Sequence, residues 1–131
     1  MKILVVGAGK MGTWLIESLC LEHEVAAYDT NLNKLKYLFN THKLVTKEEI
    51  AAFNPDMFIN AVNLERTIPV YKDLLPVISK ECILADITSV KNGLREFYLE
   101  SGRRFVSTHP MFGPTFANIR NLAGQNAIII S

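Results

Sequence analysis

The stretch KILVVG, Lys2 to Gly7, runs from Ile3 to Val6 without a single polar residue. Successive side chains of a strand point to opposite faces, so an unbroken apolar run is stable as a strand only where both faces are covered. Similar short runs recur as EVAAYD (Glu24–Asp29), DMFINAV (Asp56–Val62), CILADI (Cys82–Ile87), RFVST (Arg104–Thr108) and AIII (Ala127–Ile130), with a shorter one at Leu44. The segments between them carry helical periodicity. Helices are predicted over residues 10–20, 31–39 with Asn31 as N-cap, 47–53, 64–79 and 90–100. Thr46 and Glu49 form a capping-box pattern before the third of these, and Pro76 marks a late kink or end in the fourth. Strand and helix in alternation predict an α/β fold, a doubly wound, mainly parallel sheet with helices on both faces, in one domain over residues 1–131.

The first strand leads directly into GAGKMG, which puts Gly7, Gly9 and Gly12 in G-x-G-x-x-G spacing at the start of a helix. In a dinucleotide-binding turn of the Rossmann type the first glycine permits the tight turn. The second lets backbone approach a pyrophosphate, and the third lets helix and strand pack closely. The phosphates would sit on the free N–H groups and positive dipole end of the helix beginning at Lys10 and Met11. Asp29 ends the second strand, where a carboxylate accepts hydrogen bonds from both ribose hydroxyls of an adenosine and repels a 2′-phosphate. This predicts NAD rather than NADP. A second reading of Asp29 is open: a cap for the turn before Asn31. Val62 and Asn63, at the end of the fourth strand, are expected on the same crevice. Asn60, polar within a buried strand, is assigned a structural contact only.

Composition narrows the class further. Net charge is +1, with 21% charged and 49% hydrophobic residues, so neither nucleic acid nor a membrane surface is indicated. Cys20 and Cys82 lie in apolar segments as buried free thiols, in keeping with a reducing cytoplasm. Cys20 and His23 have no second pair at zinc-site spacing, so no metal is expected. MKILVVGAG imitates a signal peptide, but its apolar run is short and no cleavage pattern follows. The chain stops at Ser131 directly after an apolar run, which suggests a piece of a longer protein.

Ser89 follows ILADIT and His109 follows RFVST, so both fall at carboxyl ends of predicted strands, the ligand edge of such a sheet. Were the two strands neighbours, an imidazole and a hydroxyl would converge there, the imidazole as general base and the hydroxyl holding a substrate hydroxyl and orienting the ring. The plain alternative is also open: a His-Pro turn, with Ser89 as helix N-cap. Phe97 and Tyr98 read as packing. Arg103 and Arg104 read as a solvated turn.

The residues GAGKMG with Asp29, DITSVK (Asp86–Lys91) and HPMFGP (His109–Pro114) together resemble the nucleotide-binding domain of the prephenate/arogenate dehydrogenase family of tyrosine biosynthesis. The resemblance covers essentially the whole chain. It implies hydride transfer from a 4-hydroxycyclohexadiene to NAD(P) with loss of carbon dioxide, prephenate giving 4-hydroxyphenylpyruvate and arogenate giving tyrosine. His109 would take the proton of the substrate's C4 hydroxyl, and Ser89 would hydrogen-bond that hydroxyl or His109. Lys91 would bind substrate, or be only a helix-end charge. Family members also carry a C-terminal helical domain that forms a homodimer and supplies arginines for the substrate carboxylates. That domain is expected outside this chain, which alone would bind NAD with little turnover.

Two rivals share the N-terminal half. Nucleotide-sensing regulatory domains of potassium transport systems use the same glycine loop and acidic residue without catalysis. Small reductases of the hydroxyacid or pyrroline-carboxylate type share it too, but are expected to lack the SVK and HPMFGP pair.

Overall fold

A computed structural model describes residues 1–110 and 127–130. Seven strands form one sheet: β1 (Lys2–Val6), β2 (Glu24–Tyr28), β3 (His42–Leu44), β4 (Met57–Asn60), β5 (Ile83–Asp86), β6 (Phe105–Pro110) and β7 (Ala127–Ile130). Their order is β3-β2-β1-β4-β5-β6-β7. The first six are mutually parallel, and β7 runs antiparallel to β6. From β1 the chain winds outward to β2 and β3, then returns to β1's other side and continues outward through β6. The reversal between β1 and β4 opens a crevice at the carboxyl ends of those strands.

The unbroken apolar run of β1 has the expected cause. Leu4 and Val6 point into one core with Phe58, Tyr71, Leu84 and Tyr98. Ile3 and Val5 point into a second core with Ile16, Val25 and Ile59. Leu4 and Val5 are both 0% exposed, and each such side chain contributes about 1.5–3 kcal/mol by leaving water. Helix α1 (Lys10–Leu19) covers the second face. Helices α2 (Lys47–Phe53), α3 (Thr67–Leu74) and α4 (Leu94–Ser101) supply side chains to the first. A doubly wound, mainly parallel sheet is therefore present.

Helix α2 starts on the predicted cap: Thr46 Oγ1 accepts the Glu49 N–H at 3.1 Å. The Glu49 carboxylate returns to the Val45 N–H at 3.4 Å, one residue earlier than in an ideal capping box. Other boundaries differ from expectation. The helix predicted over 31–39 is a single 3₁₀ turn, Leu32–Leu35, although Asn31 does cap it by accepting the Asn33 N–H at 3.1 Å. Only Leu35 and Leu38 of this segment are buried, while Tyr37 and Phe39 are exposed. Two buried side chains give little tertiary support for a helix of that length. The segment 64–79 is α3 flanked by 3₁₀ turns at Leu64–Arg66 and Leu75–Val77, the second containing Pro76. Helix α4 begins only after Gly93, whose φ is +75°. Arg103 and Arg104 are not merely solvated. Arg103 donates to the carbonyls of Leu75, Ile78 and Ser79, and Arg104 donates to that of Glu81. No helix among the described residues is long and apolar enough to cross a membrane.

Candidate functional site

The glycine loop joins β1 to α1 at the carboxyl edge of the sheet. Gly7 has φ +98°, and a Cβ there would lie 2.8 Å from the Ala61 carbonyl carbon, at the end of neighbouring β4. A Cβ on Gly12 would overlap the Gly7 carbonyl oxygen, so the third glycine is what lets α1 seat against the turn. Gly9 is different: a Cβ there meets nothing within 4 Å. Its bare face opens away from the protein, as close approach of a ligand to backbone requires. Gly9 is also the N-cap of α1 and has no side chain to offer the first N–H groups of the helix. Lys10 is exposed beside it and Met11 half-buried.

Asp29 combines the two readings open from sequence. Its Oδ1 accepts the Asn31 N–H at 2.7 Å, the local turn cap. Its Oδ2 accepts the Ala8 N–H at 2.8 Å, clamping the glycine loop to the end of β2. A carboxylate has about four acceptor positions, so these two bonds leave capacity for hydroxyl donors. A cavity of ≈ 60 Å³ lies between the strand ends, lined by Val6, Gly7, Tyr28, Asp29, Val62 and Arg66 among others. Val62 is thus beside Asp29. Asn63 does not line this cavity. It is exposed, and its carbonyl accepts the Thr67 hydroxyl at 3.2 Å. Asn60 is wholly buried and donates to the Thr67 carbonyl at 2.9 Å, tying β4 to the start of α3.

The Ser89 and His109 segments leave the same edge of the sheet from β5 and β6, which are adjacent and in parallel register, Asp86 opposite Ser107. Ser89 is exposed and His109 half-buried near the end of β6, paired with Ile128 of β7. Strand β6 stands three strand spacings from β1, ~14 Å along the crevice edge. Met111 to Pro114, the rest of the HPMFGP stretch, lie outside the described residues.

Beneath these two side chains sits a polar cluster that sequence reading did not single out. Asp86 is 0% exposed at the end of β5. Its Oδ1 accepts from Lys91 Nζ at 2.6 Å, from the Thr88 N–H at 3.0 Å and from the Thr88 hydroxyl at 2.9 Å. Its Oδ2 accepts from the Tyr98 hydroxyl at 2.7 Å. The Tyr98 oxygen lies 2.8 Å from that of Tyr71, and Tyr71 donates to the Ala85 carbonyl at 2.6 Å. Burial works to raise the Asp86 pKa, but the hydrogen bonds, led by those from Lys91 and Tyr98, outweigh it and hold the carboxyl below its ordinary value. Burial pushes the Tyr98 and Tyr71 phenols well above theirs, so both remain neutral.

Lys91, expected at the substrate or as a helix-end charge, directs its ammonium inward. It donates to Asp86, to the Thr88 hydroxyl at 3.1 Å and to the Thr108 carbonyl at 2.6 Å. An ammonium has three donors, so all three are engaged within the fold. The usable sequence signal was Asp86 itself, a carboxylate inside the apolar run ILADI, because a buried charge requires a partner. Cys20 and Cys82 are free and buried, and burial raises the Cys82 thiol pKa to about 11.

The same architecture is found in known proteins. Residues 16–126 match the family described as prephenate dehydrogenase, nucleotide-binding domain. A probable arogenate/prephenate dehydrogenase of Methanocaldococcus jannaschii is 38% identical over 68 residues, covering 50% of this chain and 15% of that protein. The crystal structure of prephenate dehydrogenase from A. aeolicus in complex with hydroxyphenyl propionate and NAD+ has a TM-score of 0.83 at 22% identity, over 100% of this chain and 50% of that one. The crystal structure of Synechocystis arogenate dehydrogenase has a TM-score of 0.77 at 20% identity, over 98% of this chain and 49% of that one. At these identities the two structures establish a shared fold. The chain spans 15% to 50% of the length of these relatives.

Proposed function

The chain belongs to the family of prephenate dehydrogenase nucleotide-binding domains, and from that premise we propose that it binds NAD+ along the β1–β4 crevice and serves the oxidative decarboxylation of prephenate or arogenate. This reading is supported by a glycine loop, Asp29 and the Ser89 and His109 segments at the carboxyl ends of the parallel strands β1, β2, β5 and β6 of one sheet. The residues present fit a dinucleotide: a bare Gly9 face, a helix start without a side-chain cap, and a carboxylate with spare acceptor capacity. Bound NAD+ supplies the hydride acceptor.

The chain's own residues do the remainder. Backbone N–H groups from Gly9 into α1 receive the pyrophosphate, with Lys10 and Met11 at the helix start. Asp29 accepts the adenosine ribose hydroxyls and disfavours a 2′-phosphate by like charge. Val62 packs against the nucleoside, and Asn63 stands at the crevice rim. His109 accepts the proton of the C4 hydroxyl as that carbon is oxidised, a contribution typically worth about 10²–10⁴-fold. Ser89 hydrogen-bonds the same hydroxyl and orients the imidazole. Loss of carbon dioxide gives an aromatic ring, which supplies driving force, so the protein's main task is alignment. The substrate carboxylates and the homodimer contact are assigned to a helical domain outside this chain, a reading supported by its spanning half the length of the two solved structures. Two buried free thiols accord with a reducing cytoplasm. Family membership favours this reading over a potassium-transport sensor.

The deciding experiment is NADH formation by the polypeptide that carries this domain, with prephenate and arogenate supplied in turn. Turnover of either one is expected, and the faster names the substrate. Absence of NADH with both would refute the proposal.

A further inference from the structure

One carboxylate–ammonium pair grips the residue immediately before each of the two proposed reactive side chains. Thr88, before Ser89, gives both its N–H and its hydroxyl to Asp86. Thr108, before His109, gives its hydroxyl to the Asp86 carbonyl at 2.8 Å, and its own carbonyl accepts from Lys91 at 2.6 Å. Lys91 closes the figure by bonding Asp86 and the Thr88 hydroxyl together. Ladder hydrogen bonds alone align β5 with β6, and the register between them ends at Asp86 opposite Ser107. Beyond that level the chain after β5 enters a loop, while β6 continues through Thr108 and His109 paired with β7. The tie between the Thr88–Ser89 segment and the end of β6 therefore rests on this cluster.

We propose that Asp86 and Lys91 are positioning residues that set the spacing of Ser89 and His109 by holding Thr88 and Thr108 on one buried ion pair. Lys91 acts through the backbone of Thr108. This inference rests on the roles proposed above for Ser89 and His109. The pair is stiff because its carboxylate is wholly buried, with Tyr98 braced behind it and Tyr71 behind Tyr98. A misplacement near 1 Å in a reacting group costs about 10²-fold in rate, so loosening this anchor acts on turnover before it acts on binding.

The test uses the polypeptide that carries this domain, with NAD+ and whichever of prephenate or arogenate it oxidises. The variant Asp86→Asn/Lys91→Met removes both charges together and so leaves no buried ion unpaired. Thr108→Val removes the Thr108 hydroxyl's bond to the Asp86 backbone carbonyl and leaves the ion pair and its bond to the Thr108 carbonyl intact, so it tests the hold of Asp86 on Thr108 where the double variant fails to fold. Readouts are NAD+ affinity by calorimetry, kcat and KM for substrate, and the ring C–H resonance of His109, assigned with His109→Asn. Expected for the double variant is a kcat about tenfold to a hundredfold lower, NAD+ affinity within about twofold of the parent, and a displaced His109 resonance. Thr108→Val is expected to shift the same resonance and lower kcat severalfold. Unchanged kcat and an unmoved resonance in a folded variant overturn the inference. If His109→Asn itself retains full turnover, the general-base role has failed, and the His109 resonance in the other variants still decides whether the pair positions that ring.

Discussion

Replacing Lys91 with methionine keeps most of the side-chain volume and removes the charge. Asp86 then remains 0% exposed with the Tyr98 hydroxyl and the two Thr88 donors as its partners. Breaking a buried pair by deleting one member typically costs about 3–5 kcal/mol. Three surviving donors argue for the lower end, about 3 kcal/mol. For a domain of this size that corresponds to about 10 °C in Tm. The loss should depend on pH in a set direction. In the parent protein the folded-state pKa of Asp86 is depressed, so its contribution is present above the unfolded value of about 4 and disappears as pH falls through the folded value. In the variant, burial is no longer opposed by the ammonium, so the carboxyl is protonated at a higher pH than in the parent. The difference in Tm between parent and variant should therefore be largest near pH 7 and shrink toward pH 3. Thermal melts by circular dichroism across that range measure it. A difference below about 3 °C at pH 7, or one that is the same at both ends, would refute the view that Lys91 neutralises a buried charge.

The glycine loop makes a sharper mechanical prediction. Gly12→Ala places a Cβ on the Gly7 carbonyl oxygen, so α1 must move outward; NAD+ affinity measured by calorimetry should fall at least about tenfold, and an unchanged affinity would contradict the close seating. Asp29→Asn retains an acceptor for the Ala8 N–H but removes the negative charge. The ratio of NAD+ to NADP+ affinity should fall about tenfold, chiefly through tighter NADP+ binding, and a ratio that stays put would take cofactor discrimination away from this residue.

The architecture was legible because parallel strands buried on both faces leave an unmistakable record: Ile3 to Val6 alternate between two cores, so neither parity can be polar. The glycine turn was legible for a steric reason, since Gly7 and Gly12 occupy positions where a Cβ collides with backbone. Leu32 to Phe39 misled because their apolar count suited a helix, whereas Tyr37 and Phe39 face solvent. Residues 90–93 were read into α4 because nothing in their composition betrays that Lys91 turns back to Asp86. Its further bond to the Thr108 carbonyl depends on the order β5-β6, which local pattern does not specify. Tyr98 was rightly read as packing, with its ring against Phe105 at 4.5 Å, yet its hydroxyl also serves the carboxylate. A residue with an apolar body and a polar tip takes part in both, and sequence displays only the first.

The placement of β1 between β2 and β4 has a consequence for how the domain comes into being. Ile3 pairs with Val25 on one side and with Met57 on the other, so one edge of the central strand stays open until more than fifty further residues have emerged. Closing that long loop is entropically slow, and pairings so distant in the chain set the pace of folding. Until β4 docks, the nascent chain carries a glycine turn with only half a crevice around it, and an exposed strand edge that invites association with other chains. Competence to bind a nucleotide should thus arrive late and abruptly during synthesis, together with protection of the β1 amides from exchange.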